Sequence, residues 1–527
     1  MLLSTLIDWS RIQFAMSAMY HWIFVPLTLG MGIVMAIAET KYYRSGEEFW
    51  KQTAKYWQKI FGINFAAGIA TGLILEFQFG TNWSNYSYFV GDIFGAPLAI
   101  EGLFAFFMEA TFFAVMFFGW DKVSKKFHLA STWLTIGGAT LSAWWILVAN
   151  AWMQHPTGME FNPDSVRHEM VSFVDVAFNP VAVSKFFHSV ISSWLLGAVV
   201  VMGICAYYLL RKRHQRFAVE SLKIAATLGL VASLLTLITG HISASQVASH
   251  QPMKLAAMEN LHEGTAEAPI SIFGIVDSKA GKVGLENNDD AFVGGVNLSL
   301  PYGLSILSFN DPKAYVPGIN NIIEGYTTQD GKVIPSAEER IARGKKAIQA
   351  LADYRAAQEA GDVEAAEANR AILNENFEHF GYGYINSVEE LIPNIPMLYY
   401  SFRIMVGLGL LFILVCILLL VFLRNEGKKL INMRWFHWVM ILCIPLVYMA
   451  SQAGWVVAEV GRQPWTVQDA LPVQAAVSNI AAGAVKTTFI LFLALFTVML
   501  IAELSIMIHA IKKGPSLEDK SETNLEK

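Results

Sequence analysis

The sequence predicts an all-α polytopic membrane protein with about nine transmembrane helices, and three observations support that fold class. Mean hydropathy is +0.42 over the 527 residues. Charged residues make up only 15% of the chain, against about 25% in ordinary soluble proteins. A spanning helix needs roughly 20 apolar residues, and nine stretches of that kind occur. They lie at about 13–38, 59–79, 96–118, 129–150, 184–210, 217–239, 398–423, 435–456 and 483–508.

Lysines and arginines predict how these spans are oriented, because basic loops stay on the cytoplasmic side. The basic clusters fall in alternate short loops. They comprise Lys41, Arg44, Lys51 and Lys55; Lys122, Lys125 and Lys126; Arg211, Lys212, Arg213 and Arg216; Arg424, Lys428, Lys429 and Arg434; and Lys512 and Lys513. With nine spans, this alternation predicts an N-terminus outside and a C-terminus in the cytoplasm. The first span is too long for a signal peptide and is expected to be a retained helix.

One long polar insertion divides the spans and is expected to lie outside. The predicted units are residues 1–239 with helices 1–6, residues 240–395 as an external loop, residues 396–511 with helices 7–9, and residues 512–527 as a disordered cytoplasmic tail. Within the loop, the Gly- and Asn-rich stretch around 264–335 is expected to be irregular. The Ala- and Glu-rich residues 336–378 predict a helical hairpin broken at Gly361.

Composition also excludes several classes of protein. The net charge is -5, and the basic stripe that nucleic-acid binding requires is missing from the sequence. Cys205, Cys416 and Cys443 all fall inside apolar stretches, with no CxxC or CxxCH motif. A disulfide framework, a zinc site and covalent c-type haem are therefore unsupported.

Five polar or metal-binding side chains fall at similar depths, each in a different span. They are His21, Glu101, His188, Met405 and Glu459. Each position is placed in the outer part of its span by the predicted orientation and the helical rise of 1.5 Å per residue. Ionisable residues inside spans are costly and are candidates for function by default. The five together predict a buried cofactor site beneath the external loop.

Each residue also has a structural alternative. A buried histidine can simply bond to a neighbouring helix, and a single methionine is usually core filler. Glu459 could form an interfacial i, i+3 ion pair with Arg462. Glu101 and Glu109, about 12 Å apart in depth if the helix is regular, could line a solvated groove, although two carboxylates on one apolar helix favour function.

Haem explains the five residues jointly, because haem iron takes His and Met as axial ligands. His188 and Met405 lie on separate helices and could bind one iron from opposite faces. His21 and Glu459 could each hold a further iron with an open position, although a carboxylate is an unusual haem ligand and the residues alone do not lead to it. Two other classes stay open: a transmembrane cytochrome that needs only the His188/Met405 pair, and a proton-coupled transporter that uses Glu101 and Glu109 without haem.

Several strings resemble subunit I of the cytochrome bd-type quinol oxidases. They are RIQFAMSAMYHWIFVPLTLG at 11–30, GINFAAGIATGLILEFQFGTNWSNYSYFVGDIFGAPLAIEG at 62–102, KFFHS at 185–189, SFRIMVG at 401–407 and GWVVAEVGRQPW at 454–465. The resemblance implies a multi-pass enzyme of the bacterial cytoplasmic (inner) membrane that oxidises quinol and reduces O2 to water. It also implies two b-type haems (one low-spin, one high-spin), one d-type haem, a second large membrane subunit and small single-helix subunits.

The resemblance also implies roles for individual residues. His188 and Met405 match the axial pair of the low-spin haem b, while His21 and Glu459 match ligands of the two high-spin haems, in an order left open. Glu101 and Glu109 match carboxylates on the proton route, and Trp455 matches an aromatic residue packed between haems. Arg403 and Arg462 match partners of haem propionates, and Arg11 is a weaker candidate for the same role.

The external loop resembles the quinol-binding loop of that family through QPMKLAAMEN at 251–260. Lys254 and Glu259 match its quinol-site pair, and a carboxylate within hydrogen-bond distance can accept a proton from quinol. From composition alone, the two would be a solvated pair on a helix. His241 and His250 lie nearby and could also accept protons. The sequence does not distinguish ubiquinol from menaquinol.

Overall fold

Nine long apolar helices dominate the computed structural model, which describes residues 5–277, 288–424 and 427–516. Within those ranges, the helices long and apolar enough to cross a membrane are Leu6–Ser45, Glu48–Thr81, Asp92–Phe118, Lys125–Gln154, Phe173–Leu210, Gln215–His250, Val388–Phe422, Arg434–Val460 and Ala482–Lys513. Each one covers most or all of a predicted span. The prediction of about nine membrane helices is confirmed.

The α-helices are numbered here along the chain. They are α1 Leu6–Ser45, α2 Glu48–Thr81, α3 Ser84–Val90, α4 Asp92–Ile100, α5 Phe107–Phe118, α6 Lys125–Gln154, α7 Phe173–Ala177, α8 Pro180–Leu210, α9 Gln215–His250, α10 Pro252–Glu259, α11 Gly303–Phe309, α12 Ile319–Glu324, α13 Ala337–Ala360, α14 Val363–Asn376, α15 Ile395–Phe422, α16 Arg434–Val460, α17 Val473–Ala476 and α18 Ala482–Lys513. A π-helix, Glu101–Phe106, joins α4 to α5, and short 3-10 helices occupy Asn288–Ala291, Phe377–Tyr384, Val388–Leu391 and Leu430–Asn432.

The strands are short and lie between the long helices, paired into two-stranded antiparallel sheets. They are β1 Met159–Asn162 with β2 Arg167–Met170, β3 Thr265–Ala266 with β6 Tyr315–Val316, β4 Ile270–Val276 with β5 Phe292–Leu300, β7 Tyr326–Thr327 with β8 Val333–Ile334, and β9 Trp465–Val467 with β10 Leu471–Pro472. In the longest pair, Ile270 lies opposite Leu300 and Val276 opposite Phe292. The stretch expected to be irregular therefore contains a β-hairpin.

The insertion between the sixth and seventh spans differs from the prediction at its start. The sixth helix continues past residue 239 to His250, because Gly240 is tolerated inside a long helix. Further along, α13 and α14 form the predicted helical hairpin, and Gly361 ends α13 with a φ of +73°, a conformation that glycine adopts at little cost. At the C-terminus, Lys512 and Lys513 are helical, and the predicted disordered residues 517–527 lie outside the described residues.

Two helix pairs, α1 with α2 and α8 with α9, pack side by side and meet through glycines on α1 and α8. A methyl group on Gly30 would lie 2.2 Å from the carbonyl oxygen of Ser193, and one on Gly197 would lie 2.4 Å from the carbonyl carbon of Gly30. The two backbones therefore touch directly, as is common where small residues line a membrane helix interface. This contact fixes the spacing between the helices that carry His21 and His188.

Candidate functional site

A cavity of about 1320 Å³ lies between helices α1, α2, α4, α5, α6, α8, α15 and α16. Its walls are mostly apolar and aromatic, and the predicted residues that line it include His21, Glu101, Glu109 and Glu459. Pockets for single small ligands usually measure about 300–1,000 Å³. The cavity is therefore larger than the usual pocket for one small ligand.

His21 and His188 are each held by a threonine of the following long helix. His21 Nδ1 lies 3.0 Å from Thr71 Oγ1, and His188 Nδ1 lies 3.1 Å from Thr239 Oγ1. In both cases the contact uses Nδ1, so Nε2 is the nitrogen left to bind a metal.

Glu101 and Glu109 both line the cavity, although the helix between them is not regular. Glu101 begins the π-helix, so the spacing expected from a continuous α-helix does not apply to this pair. Ser142 donates a 2.7 Å hydrogen bond to Glu101 Oε1. Glu109 is only 7% exposed, and its backbone packs against Gly138, where a methyl group would approach to 3.0 Å. The two carboxylates do not form a solvated groove, because Glu109 is buried.

Glu459 forms the predicted i, i+3 ion pair and also joins a larger polar cluster. Arg462 Nη2 lies 2.7 Å from Glu459 Oε2. Asn150 and Gln154 donate to Glu459 Oε1 over 3.1 and 3.3 Å. The Lys185 ammonium donates to Asn150 Oδ1 over 2.5 Å.

Lys254 is part of the same cluster and is not a solvated residue. It is 2% exposed and donates to Gln154 Oε1 and Gln251 Oε1 over 2.9 and 2.6 Å. Burial, reinforced by the charge of Lys185, lowers the pKa of Lys254 well below its usual value. Two cations, Arg462 and Lys185, thus accompany the one Glu459 carboxylate, with the weakly basic Lys254 beside them. Since buried charges are normally paired, the surplus of positive charge favours an anionic ligand such as a propionate.

Glu259 is buried and forms an ion pair with Arg403, the residue predicted to contact a haem propionate. Arg403 Nη2 lies 2.6 Å from Glu259 Oε2, and Arg403 also donates to the carbonyl oxygens of Met258 and Ser271. Burial raises the pKa of Glu259, and the Arg403 guanidinium limits the rise. Within the described part of the chain, Glu259 Oε1 and Arg403 Nε are buried without a hydrogen-bond partner. Each therefore has hydrogen-bonding capacity that the described residues do not satisfy.

His188 and Met405 do not appear among the residues that line the large cavity. They lie on α8 and α15, which pack with α9 and α16. Glycines make room beside both side chains, since a methyl group on Gly240 would lie 3.2 Å from His188 Cε1 and one on Gly454 would lie 3.1 Å from Met405 Sδ. The predicted axial pair thus belongs to a second group of helices beside the cavity.

The remaining predicted residues also lie at the cavity wall. Trp455 lines the cavity and meets Trp22 edge to face at 5.1 Å between ring centroids. Arg11 and Arg462 line it as well, and Arg462 Nε is buried with no partner among the described residues. These donors, the aromatic walls, the two histidines with Nδ1 engaged and the surplus positive charge fit the binding of haem through its iron and propionates.

The histidines singled out near the loop have other contacts. His241 Nε2 lies 2.6 Å from Asn310 Oδ1. His250 stacks on His155 with ring centroids 3.7 Å apart. Burial lowers the pKa of His155 to about 4, and the charge of the nearby His250 contributes to the shift.

The sequence argument missed several residues that shape the site. They are Thr71, Thr239, Ser142, Asn150, Gln154, Lys185 and the cavity-lining Glu76. Lys185 could have been found, because a lysine in an apolar span three residues before His188 is itself a candidate for function. The amides and hydroxyls carry no such signal in sequence.

Fold and site together define a polytopic helical membrane protein built around a cavity for large redox cofactors. The family model described as cytochrome bd terminal oxidase subunit I matches residues 9–515, and the chain belongs to that family. It is therefore a subunit of a quinol:oxygen oxidoreductase.

The comparisons extend over almost the whole chain. Cytochrome bd-II ubiquinol oxidase subunit 1 of Escherichia coli (strain K12) is 41% identical over 513 residues, covering 97% of each chain. Cytochrome bd ubiquinol oxidase subunit 1 of Bacillus subtilis (strain 168) is 35% identical over 507 residues, covering 96% of this chain and 93% of that one. A solved structure of bd oxidase from Geobacillus thermodenitrificans has a TM-score of 0.75 and 25% identity, covering 98% of this chain and 100% of the other. The predicted family and fold class are confirmed.

Proposed function

We propose that this chain is the haem-bearing subunit of a terminal oxidase that oxidises quinol at the outer membrane face and reduces O2 to water, separating charge without a proton pump. The observation that supports this most strongly is the cavity in which His21 and Glu459 lie with Glu101 and Glu109. Two quinols supply four electrons and release four protons outward, while one O2 takes four electrons and four protons from the cytoplasm to give two waters.

Two groups of residues hold the cofactors in this proposal. His188 and Met405 would hold the iron of the low-spin haem b. His21 and Glu459 would each hold one of the two high-spin haems, one b-type and one d-type. When bound, the haems supply electron transfer and oxygen reduction, which protein side chains alone do not. Trp455, Arg462 and Arg11 position these groups from the cavity wall.

Quinol is oxidised beside Glu259 and Lys254 on α10. The free Glu259 Oε1 accepts a proton from a quinol hydroxyl, while Arg403 keeps hold of Oε2 over 2.6 Å. Lys254 holds the adjoining end of α10 against α6 and α16 through its bonds to Gln154 and Gln251 and its packing on Gly461. Arg403 lies two residues from Met405, so the quinol and the first electron acceptor are close neighbours.

Glu109 and Glu101 carry protons to the site of oxygen reduction. Both face the cavity, and Ser142 holds Glu101 through its 2.7 Å hydrogen bond. Position 110 is alanine, so the relay at this level runs through Glu109 or water. Glu109 is the more enclosed of the two and takes the last protons from the cytoplasmic side.

In this proposal the N-terminus lies outside and the C-terminus in the cytoplasm, an orientation favoured by the alternation of basic loops. The membrane is the bacterial cytoplasmic membrane, as the family resemblance implies. The proposed assembly includes a second large membrane subunit and small single-helix subunits, as the family resemblance implies.

A reduced-minus-oxidised spectrum of the purified complex tests this function against its alternatives. We expect both low-spin and high-spin haem signals, together with oxygen consumption on addition of quinol. A low-spin signal alone would instead favour a transmembrane b-type cytochrome with another acceptor, and no haem signal would leave only a transporter.

Substitutions on α10 test the quinol site separately. Lys254→Ala and Glu259→Ala are expected to slow quinol oxidation while haem content stays intact. Normal turnover in both variants would rule out α10 as the quinol site.

A further inference from the structure

Each of the two buried histidines rests on a Thr-Gly step of the next long helix. Thr71 bonds to His21 Nδ1, and a methyl group on the adjacent Gly72 would lie 3.0 Å from His21 Cε1. On α9, Thr239 and Gly240 contact His188 in the same way, with the corresponding methyl distance 3.2 Å. The threonine contacts one side of the ring, and the glycine leaves space for the carbon beside it.

Carbonyl oxygens around each threonine bear on which ring nitrogen carries the proton. Thr71 Oγ1 donates to the carbonyl oxygens of Ala67 and Gly68, both at 3.0 Å. Thr239 Oγ1 has the carbonyl oxygens of Leu235 and Thr236 within hydrogen-bond distance, at 2.9 and 3.2 Å. A hydroxyl has one hydrogen and a carbonyl oxygen only accepts. When that hydrogen goes to one of these carbonyl oxygens, the threonine oxygen accepts the bond from the ring, and the imidazole supplies Nδ1–H.

The two arrangements also share their setting in the fold. His21 lies nine residues before Gly30, and His188 lies nine residues before Gly197. Those glycines are the point at which α1 and α8 touch. The two histidines therefore lie at equal distances along α1 and α8 from the glycine contact between these helices. A chance threonine neighbour does not explain this correspondence.

We propose that Thr71–Gly72 and Thr239–Gly240 form a duplicated histidine seat, which fixes the Nδ1–H tautomer and presents Nε2 of His21 and His188 to haem iron. The proposal rests on the haem ligands assigned under the proposed function. A hydrogen bond from Nδ1–H raises the basicity of a metal-bound histidine. The threonines are therefore positioning residues that also tune the haems.

Valine and serine variants of the purified holoenzyme test the seat. Valine keeps the shape of threonine but removes the acceptor, whereas serine keeps the hydroxyl. Thr239→Val is expected to raise the midpoint potential of the low-spin haem, because a less basic ligand stabilises the oxidised iron less. Thr71→Val is expected to lower the iron–histidine stretching frequency of the ferrous high-spin haem bound by His21. Serine at either position restores the wild-type value.

Each threonine is the matched control for the other, since a change at Thr71 leaves the low-spin potential unaltered and a change at Thr239 leaves the high-spin frequency unaltered. Wild-type values in both valine variants would overturn the proposal, as would equal loss of haem in the valine and serine variants. His188→Leu separates the two levels. If that variant keeps the low-spin spectrum, the ligand assignment itself fails. If it loses the spectrum while Thr239→Val keeps the wild-type potential, the seat alone fails.

Discussion

Arg403 Nη2 lies 2.6 Å from Glu259 Oε2, and the two side chains are 13% and 1% exposed. This ion pair joins α15, which carries Met405, to α10, which carries the proposed quinol residues. The guanidinium also stacks on Tyr399 at 3.8 Å from the ring centroid. The carboxylate proposed to accept a quinol proton and the helix that carries the proposed iron ligand Met405 are thus directly linked by an ion pair.

Breaking this pair should be strongly destabilising. Arg403→Leu leaves a buried uncompensated carboxylate, and removal of one partner of a buried pair typically costs about 3–5 kcal/mol. We expect a lower midpoint of thermal unfolding, with partial recovery in Arg403→Leu/Glu259→Gln. Arg343→Leu is the control, because its i, i+4 pair with Glu339 is about half exposed and exposed pairs contribute little. Equal losses in both arginine variants would contradict the structural importance of the buried pair.

The low-spin haem should depend on both proposed axial ligands. His188→Leu and Met405→Leu are expected to abolish its absorbance, because leucine offers no electron pair to iron. Met440→Leu is the matched control, as Met440 is fully buried in the apolar core. A spectrum unchanged from wild type in Met405→Leu would remove that residue from the ligand set.

Neutralising the buried Glu109 should slow proton supply to oxygen reduction more than it weakens quinol binding. Glu109→Gln is expected to slow oxygen reduction at least tenfold, in line with the 10²–10⁴-fold contributions typical of positioned proton-transfer groups, while the KM for quinol changes little. Glu503→Gln serves as control, since Glu503 is also a buried carboxylate but does not line the cavity. Equal loss of both kinetic parameters in Glu109→Gln would argue against a proton role.

Quinol oxidation should depend on pH through Glu259. Burial raises the pKa of this carboxyl above the ordinary glutamate value of about 4.3, so the proton-accepting form is lost as pH falls through the raised value. The rate of quinol oxidation should rise with pH across that range, as measured by stopped-flow reduction of the low-spin haem. Glu259→Gln should flatten the profile, whereas the exposed Glu390→Gln should retain it. A sloping profile in Glu259→Gln would assign the dependence to another group.

Hydropathy and intramembrane charge were enough to predict most of the fold and part of the site. Nine apolar stretches predicted nine helices, since a bilayer leaves a helix no alternative partner for its backbone. His21, Glu101 and Glu459 stood out because ionisable groups are rare in spans, and all three line one cavity.

Other features depend on packing between distant segments and were not predictable from one sequence. The π-helix at Glu101–Phe106 changes the angular spacing of two carboxylates, and although Pro97 in α4 signals an irregularity, it does not specify a π-helix. Lys254 lies on a polar segment, and only its partners on α6 show that it is buried. Thr71 is an ordinary helix residue until α1 brings His21 against it.

The backbone contact between Gly30 and Gly197 has a consequence for how the protein is assembled in the bilayer. Lipid tails are as apolar as the helices, so burial of apolar surface does not drive association of helix hairpins in the bilayer. They must associate through close van der Waals packing. The α1/α2 and α8/α9 hairpins can each insert separately, but the cavity takes contributions from both. Alanine in place of Gly30 or Gly197 is therefore expected to give chains that insert into the membrane but bind no haem. The purified protein would be colourless and not degraded.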